Sequence, residues 1–337
     1  MAEYNYKKME LSPYIHSLYS SGLGKPKHAT QADIEKLIEQ IGLFKFKGYL
    51  YAFKNELSLW SIEDVLLSYF FDTYLAADLM SRSLHVETKL KTALVETAYA
   101  KTSNPFFYLD SGSYNVSDFK LGKQDEDGWR DGHRVHTEIY RHFREYYLDT
   151  YDFESNKNRH LKGATLIQTS SDVNYPPFHY LAEAATIGLT IEFVTKLMIG
   201  GEPLLKSIAN KFGIFQMDVF VNYLKRLKEI RNRCAHGSRL FNRNYRSVKA
   251  FGAYQSYRAN VSAHKIIDVY MTLEFLSDRL HSYGSYDNFE EQTIFTLIDE
   301  FKNDRKISIN SNGLVEKVSK NDFLKLMGFI MKGMGKK

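Results

Sequence analysis

Apolar and polar positions alternate with helical spacing over most of the chain. Ile34, Leu37, Ile38 and Ile41 fall three and four apart. This predicts a helix that opens on the Thr30/Asp33 capping pair and stops at Gly42. The longest pattern runs from Ile62 to about Lys101, opened by Ser61 with Asp64 and broken at Asn104-Pro105. It predicts one long core helix or two with a bend. Pro176 and Pro177 introduce an apolar helix over 176–200, and a short helix follows in GGEPLLKSIANKFG. Met217 to about Ala235 predicts a further helix. Val219, Phe220, Tyr223, Leu224, Leu227, Ile230 and Cys234 share its core stripe, and Gly237 suits its C-terminal cap. Amphipathic helices are also predicted over 263–280, 288–304 and 322–337.

Two regions depart from this pattern. LFKFKGYLYAFK, 43–54, alternates apolar and basic residues and reads as a strand or a tight aromatic turn around Gly48. Residues 105–132 and 156–175 read as loops around a polar, aromatic helix at 133–155. No internal repeat or low-complexity tract is visible. The expected fold class is all-α, a helical bundle with N-terminal and C-terminal helical extensions. The segments are an accessory N-terminal part (1–56), a helical domain (57–282) with a polar insertion near 105–175, and a C-terminal extension (283–337).

Composition narrows the function classes. The 337 residues are 44% hydrophobic and 25% charged, as in an ordinary globular protein. Cys234 is the only cysteine, so no intrachain disulfide can form, which fits a reducing compartment. MAEYNYKKMELSPY has no apolar core of signal-peptide length, and no run reaches the length of a membrane span. A soluble, cytoplasmic chain with no membrane partner is expected. The net charge of +5, with a pI near 8.9, points to nucleic acid only where the charge is concentrated.

It is concentrated in one place. Between Ile230 and Ile267 there is no acidic residue, while Arg231, Arg233, Arg239, Arg243, Arg246, Lys249, Arg258 and Lys265 all fall there. Tyr245, Phe251, Tyr254 and Tyr257 interleave with them and offer faces for base stacking. Lys45, Lys47 and Lys54 with the aromatics of 43–54 form a second basic-aromatic patch. It reads either as a single-stranded RNA surface or as a packed aromatic wedge with outward lysines. The run RLKEIRNRCAHGSRLFNR, Arg226–Arg243, contains the candidate chemistry. Asn232 and His236 are four apart and share a helical stripe, and Arg231 lies beside it. Histidine moves protons near neutral pH, and arginine grips phosphate oxygens in bidentate fashion. RNA carries its own nucleophile, the 2′-OH, so these residue types suffice for metal-free cleavage. No HxH or HExxH metal pattern occurs, and His133 with His136 is a weak pair; no metal or cofactor is expected.

The same residues carry a family resemblance. RNRCAHGSRLFNR resembles the RN-x-CAH-x-SRL-[WF]-NR signature of the Abi family of bacterial abortive-infection proteins (the AbiD/AbiF-like group). IGLFKFKGYLYAFK is similar to the family's INYYRLSGYWYPF segment. FFDTYLAADLMSRSLHVETKLKTALVETAYA is similar to its FDRELR…ERIEVALRTRLA helix, with Glu87 on the acidic position and His85 where an arginine is usual. PPFHYLAEAATIGLTIEFV is similar to PPLWVALEVLSFGTLSKLY, with Glu183 and Gly188 matching. The resemblance covers roughly residues 30–245. It implies membership of the HEPN superfamily of helical RNA-acting proteins, whose motif is R-x(4–6)-H. It therefore implies a HEPN-type bundle, a site composed across a homodimer, and metal-independent endoribonuclease activity in phage defence or toxin–antitoxin systems. Some members are thought to associate with a small structured RNA. On this resemblance Arg231, Asn232 and His236 are catalytic and Glu87 supports the arginine. Arg233, Arg239, Arg243, Arg246, Lys249, Lys45 and Lys47 are the expected RNA-binding residues.

Overall fold

Side-chain caps set where many of the helices begin. The computed structural model describes residues 10–116, 119–121, 153–167, 176–303 and 319–336. Helix α1 (Leu11–Ser20) is followed by α2 (Gln31–Ile41), where Thr30 and Asp33 form the expected reciprocal capping box. Gly42, at φ +88°, turns the chain directly into α3 (Leu43–Phe53). Residues 43–53 are thus helical rather than a strand or a turn. The buried residues are Phe46, Tyr49, Leu50 and Phe53, spaced three, four and seven apart, and this helical stripe overrides the local alternation. Ser61 and Asp64 then cap α4 (Ile62–Tyr99), a single helix of 38 residues.

Beyond α4 the described elements are α5 (Phe153–His160), α6 (Phe178–Ala184), α7 (Ile187–Lys196), β1 (Met198–Ile199), β2 (Glu202–Pro203), α8 (Leu204–Lys211) and α9 (Met217–Ala235). Helix α5 occupies the start of the stretch read as a loop from residue 156. The apolar helix expected over 176–200 is two helices. Ala185 leaves helical space at ψ 136°, and the Thr186 side chain accepts the Leu189 N–H, a local bond that competes with continuation of α6. The two short strands form one antiparallel pair. Residues 133–152, including His133 and His136, lie outside the described residues. The C-terminal part holds α10 (Ala253–Arg258), α11 (Ile266–Leu276) and α12 (Tyr286–Phe289). The last continues through a π-helical turn (Glu290–Phe295) into α13 (Thr296–Asn303), and α14 (Lys320–Met334) follows. The fold is all-α, with this one small strand pair among the described residues.

The chain divides into two compact units. The first comprises Met1–Arg82, Ile230–Phe275 and Arg279–Lys337. Its interior holds Ile34, Phe46, Phe53, Leu66, Phe71, Leu240, Phe241, Tyr270, Phe301 and Ile330. Glu63 ties residues before α2 to the start of α4, accepting the backbone N–H groups of Lys27, His28 and Ala29 and facing the His28 ring at 3.0 Å. Helix α14 packs its Phe329 ring on Phe53 (centroids 4.6 Å apart) and near Phe241 (5.9 Å).

The second unit comprises Ser83–Glu229 and Leu276–Asp278. Its interior is aromatic. Phe178 meets Phe107, Tyr108 and Phe193 at 4.8, 5.6 and 5.4 Å between centroids, and Tyr114 stacks on Phe119 at 3.9 Å. Buried phenols find acceptors, as at Tyr108, whose hydroxyl donates to the Pro176 carbonyl. No described helix is long and apolar enough to cross a membrane.

Candidate functional site

Helix α9 ends in a glycine-dependent turn that fixes His236. The Ser238 N–H reaches back to the Arg233 carbonyl at 2.9 Å, and the Gly237 N–H reaches the Cys234 carbonyl at 3.1 Å. These are the two bonds of a Schellman turn, with Gly237 at φ +56°. His236 is therefore the residue at the helix C-cap, its N–H still bonded to the Asn232 carbonyl at 3.0 Å. Its side chain is exposed, and Arg231 and Asn232 are half-buried. Neither the His236 ring nor the Asn232 amide has a side-chain hydrogen bond among the described residues. Ile230, one position before Arg231, is fully buried and anchors the helix.

The segment after the turn is held from below by Asp72 of α4. This carboxylate is 2% exposed and accepts three hydrogen bonds. The donors are the Leu240 N–H (2.8 Å), the Phe241 N–H (2.7 Å) and the Tyr49 hydroxyl (2.5 Å). Burial pushes the Asp72 carboxyl up to about 6, with Tyr49 and the two backbone donors pulling the other way. Arg239 donates to the Gly48 carbonyl of α3, and the Tyr245 hydroxyl donates to the Leu240 carbonyl at 2.8 Å. Three stretches far apart in sequence, GYLY of α3, FFD of α4 and SRLF after α9, therefore converge on one buried carboxylate. The sequence reading missed Asp72. Its only signal was an acid on an apolar helix face between Phe71 and Leu75.

The expected RNA-binding residues differ in environment. Lys45, Arg243, Arg246 and Lys249 are exposed, and Lys47, Arg233 and Arg239 are half-buried. Lys47 lies over the Tyr14 ring at 4.6 Å, and Arg233 over Tyr245 at 5.7 Å. The Lys45 ammonium sits beside the helix end, 3.5 Å from where a side chain on Gly237 would begin.

Two parts of the cationic stretch are not available as expected. Tyr245, Tyr254 and Tyr257 are buried and offer no free stacking face; the Tyr254 hydroxyl is held by Asp268 at 2.8 Å. Arg258 is paired in bidentate fashion with the fully buried Asp268, at 2.8 and 2.9 Å, and also donates to the Val248 carbonyl. An acid just outside the acid-free run thus neutralises one of its cations.

Cys234 is poorly placed to act as a nucleophile. Burial, with the nearby Asp72 charge, pushes its thiol up to about 12, so the thiolate is scarce at neutral pH. Glu87 belongs to the second unit, is buried, and lies 3.3 Å from Lys91. Among the described residues no group of three or more His, Cys, Asp or Glu could hold a metal ion.

The arrangement offers a proton-transfer group at a helix end, an amide one turn back, and exposed cations on the chain that follows. No curated protein and no solved structure matches the chain. The model of the Abi-like protein family matches residues 36–242, more than half of the chain and all three stretches that meet at Asp72. The chain belongs to the Abi-like protein family.

Proposed function

We propose that this protein is a metal-independent endoribonuclease of an abortive-infection or toxin–antitoxin system directed at phage. The observation that carries the reading is the His236 imidazole, exposed at the end of α9 and free of hydrogen-bonded protein partners among the described residues. A group in that state can take and give a proton. His236 removes the proton of the 2′-OH, and the 2′-oxygen attacks phosphorus as the P–O5′ bond breaks. The leaving 5′-oxygen takes a proton from water, the protonated His236 neutralises the hydroxide left behind, and the products are a 2′,3′-cyclic phosphate and a 5′-OH end. Arg231 neutralises the charge that builds on the phosphorane oxygens, and Asn232 orients them.

Helix geometry favours a composite site across a homodimer over one built within a single copy. Arg231 and His236 are five residues apart, a rotation of about 140° on a regular helix, whereas Asn232 and His236 differ by only about 40°. One copy therefore turns its arginine away from its own histidine. A second copy supplies the arginine, in line with the facing motifs at a dimer interface that the resemblance to the HEPN superfamily implies.

Purified protein should cleave single-stranded RNA in EDTA and leave cyclic or 3′-phosphate ends. His236→Ala and Arg231→Ala should each lower cleavage at least a hundredfold while the protein stays folded. Cleavage unchanged in both variants would overturn the reading. Tight retention of one discrete RNA without cleavage by the wild type would replace it with a non-cleaving complex with a small structured RNA.

A further inference from the structure

Helix α3 has two faces of opposite character. One carries Phe46, Tyr49, Leu50 and Phe53 into the interior. The other carries two aromatic rings to solvent. Phe44 is 92% exposed and Tyr51 61% exposed, the most exposed rings of this helix. They are seven residues apart, so they lie on one line along the helix, roughly 10 Å from each other. Between them on the same side is Gly48, where a side chain would meet nothing within 4 Å. Lysines flank the line. Lys54, just past the helix end, holds its ammonium 4.0 Å from the Tyr51 ring centre; Lys47 lies on the same edge and Lys45 on the other. No acid occurs from Leu43 to Lys54.

Folding does not require exposed rings, and their exposure works against it. A surface that alternates exposed rings with ammonium groups matches a chain that alternates bases with phosphates. Every base has a face to stack, and each phosphate is attracted to a nearby lysine. The face is also continuous with the candidate catalytic turn, because Lys45 lies against Gly237, the residue after His236. A protein partner docking through this face would have to match the lysines with acids. A second copy of the same helix offers none, since 43–54 is acid-free.

We propose that the Phe44–Gly48–Tyr51 face of α3, edged by Lys45, Lys47 and Lys54, is a stacking platform for single-stranded RNA that leads into the His236 turn. The choice of RNA as ligand rests on the function proposed above, but binding here needs no cleavage. Unpaired bases stack on Phe44 and Tyr51 across the gap left by Gly48, and Lys45 holds the phosphate that enters the turn. Duplex RNA, whose bases are already stacked and paired, cannot use the two rings.

The test uses full-length protein carrying His236→Ala, so that bound RNA stays intact, and a short fluorescent single-stranded oligoribonucleotide read by anisotropy. Gly48→Glu is the decisive variant. It sets a carboxylate between the rings at a position with open space, so folding should be unaffected, which circular dichroism and a melting curve check. Affinity should fall at least tenfold, and a Phe44→Ala/Tyr51→Ala pair should fall by a similar factor. The duplex form of the same oligonucleotide should bind more weakly than the single strand and respond little to the pair. Unchanged single-strand affinity in both folded variants would overturn the platform. A change of oligomeric state in sedimentation with RNA affinity intact would also overturn it, marking the face as a protein contact. The two proposals fail separately: RNA binding that depends on Gly48 without cleavage by wild type removes only the ribonuclease. Cleavage by wild type with affinity indifferent to Gly48→Glu removes only the platform.

Discussion

The Asp72 carboxylate takes the Tyr49 hydroxyl on the same oxygen that takes the Leu240 N–H, at 2.5 and 2.8 Å. Its other oxygen takes the Phe241 N–H at 2.7 Å. An asparagine of the same shape cannot accept all three, because its NH₂ would face one of the donors. Asp72→Asn should therefore cost about 2–3 kcal/mol in urea unfolding at pH 7.5, where the carboxyl is ionised, and loosen the turn that follows His236. The pH dependence has a definite sign. The folded carboxyl is raised from 3.8 to about 6, so the stability tied to it is present below about pH 4 and is lost as pH rises through about 6. Asparagine has no such loss, so the gap between wild type and variant should shrink by about 1 kcal/mol from pH 5 to pH 7.5. A gap that widens would show that the buried carboxylate is ionised at little cost.

The cations of the acid-free stretch should separate by their exposure. Arg243, Arg246 and Lys249 are exposed, whereas Arg258 is locked to Asp268. If the first three meet RNA phosphates, each change to glutamine should flatten the slope of log affinity against log salt by about 0.7. Arg258→Gln should leave that slope alone and instead cost about 3–5 kcal/mol of stability, because it strands a buried carboxylate. Equal slopes for all four variants would mean that exposure does not sort these residues.

Helical periodicity, capping pairs and the acid-free run were all legible in the sequence, because each depends on residues close along the chain. Thr30 with Asp33 and Ser61 with Asp64 act as read, and the core stripe of α9 from Val219 to Ile230 is buried. What was not legible depends on distant partners. Alternation in 43–54 imitates a strand, and only the interior that receives Phe46, Tyr49, Leu50 and Phe53 selects the helix. The exposed aspect of Tyr245 and Tyr254 was wrong because both rings are buried, their hydroxyls satisfied by the Leu240 carbonyl and by Asp268, and neither pairing has a signature in the residue pattern. Glu87 and Asp72 look alike in sequence, as single acids on the apolar α4. Only the fold shows that Asp72 is the one gripping the turn beyond His236.

The C-terminal helix acquires a role that sequence did not give it. A side chain added at Gly333 of α14 would begin 2.4 Å from the Phe241 ring, and Phe241 is the residue whose N–H Asp72 holds. Gly333→Ala should thus force Phe241 or α14 to shift, costing about 1–3 kcal/mol. Gly328, on the same helix, has open space, and alanine there should be neutral or slightly stabilising, by up to about 1 kcal/mol. Thermal melts of the two variants compare them directly. Equal melting temperatures would mean that α14 does not buttress this turn.

The composite site makes a prediction that a self-contained site does not share. Arg231→Ala and His236→Ala are each inactive alone if both residues are needed. In a mixed dimer, the intact histidine of one copy meets the intact arginine of the other, and one of the two sites is whole. Equal mixing at random gives half of the dimers in this form, so cleavage should return to about a quarter of the wild-type rate. Copies must exchange, so the two variants are co-expressed with different tags and purified through both. In doubly tagged material the rate should approach about half of wild type, since every dimer then holds one complete site. If Arg231 and His236 of one chain act together, every site in the mixed dimer lacks a member, and no activity should return at any ratio. That outcome would leave the ribonuclease standing and place the whole reaction within one copy, against the rotation of about 140° that separates the two residues on α9.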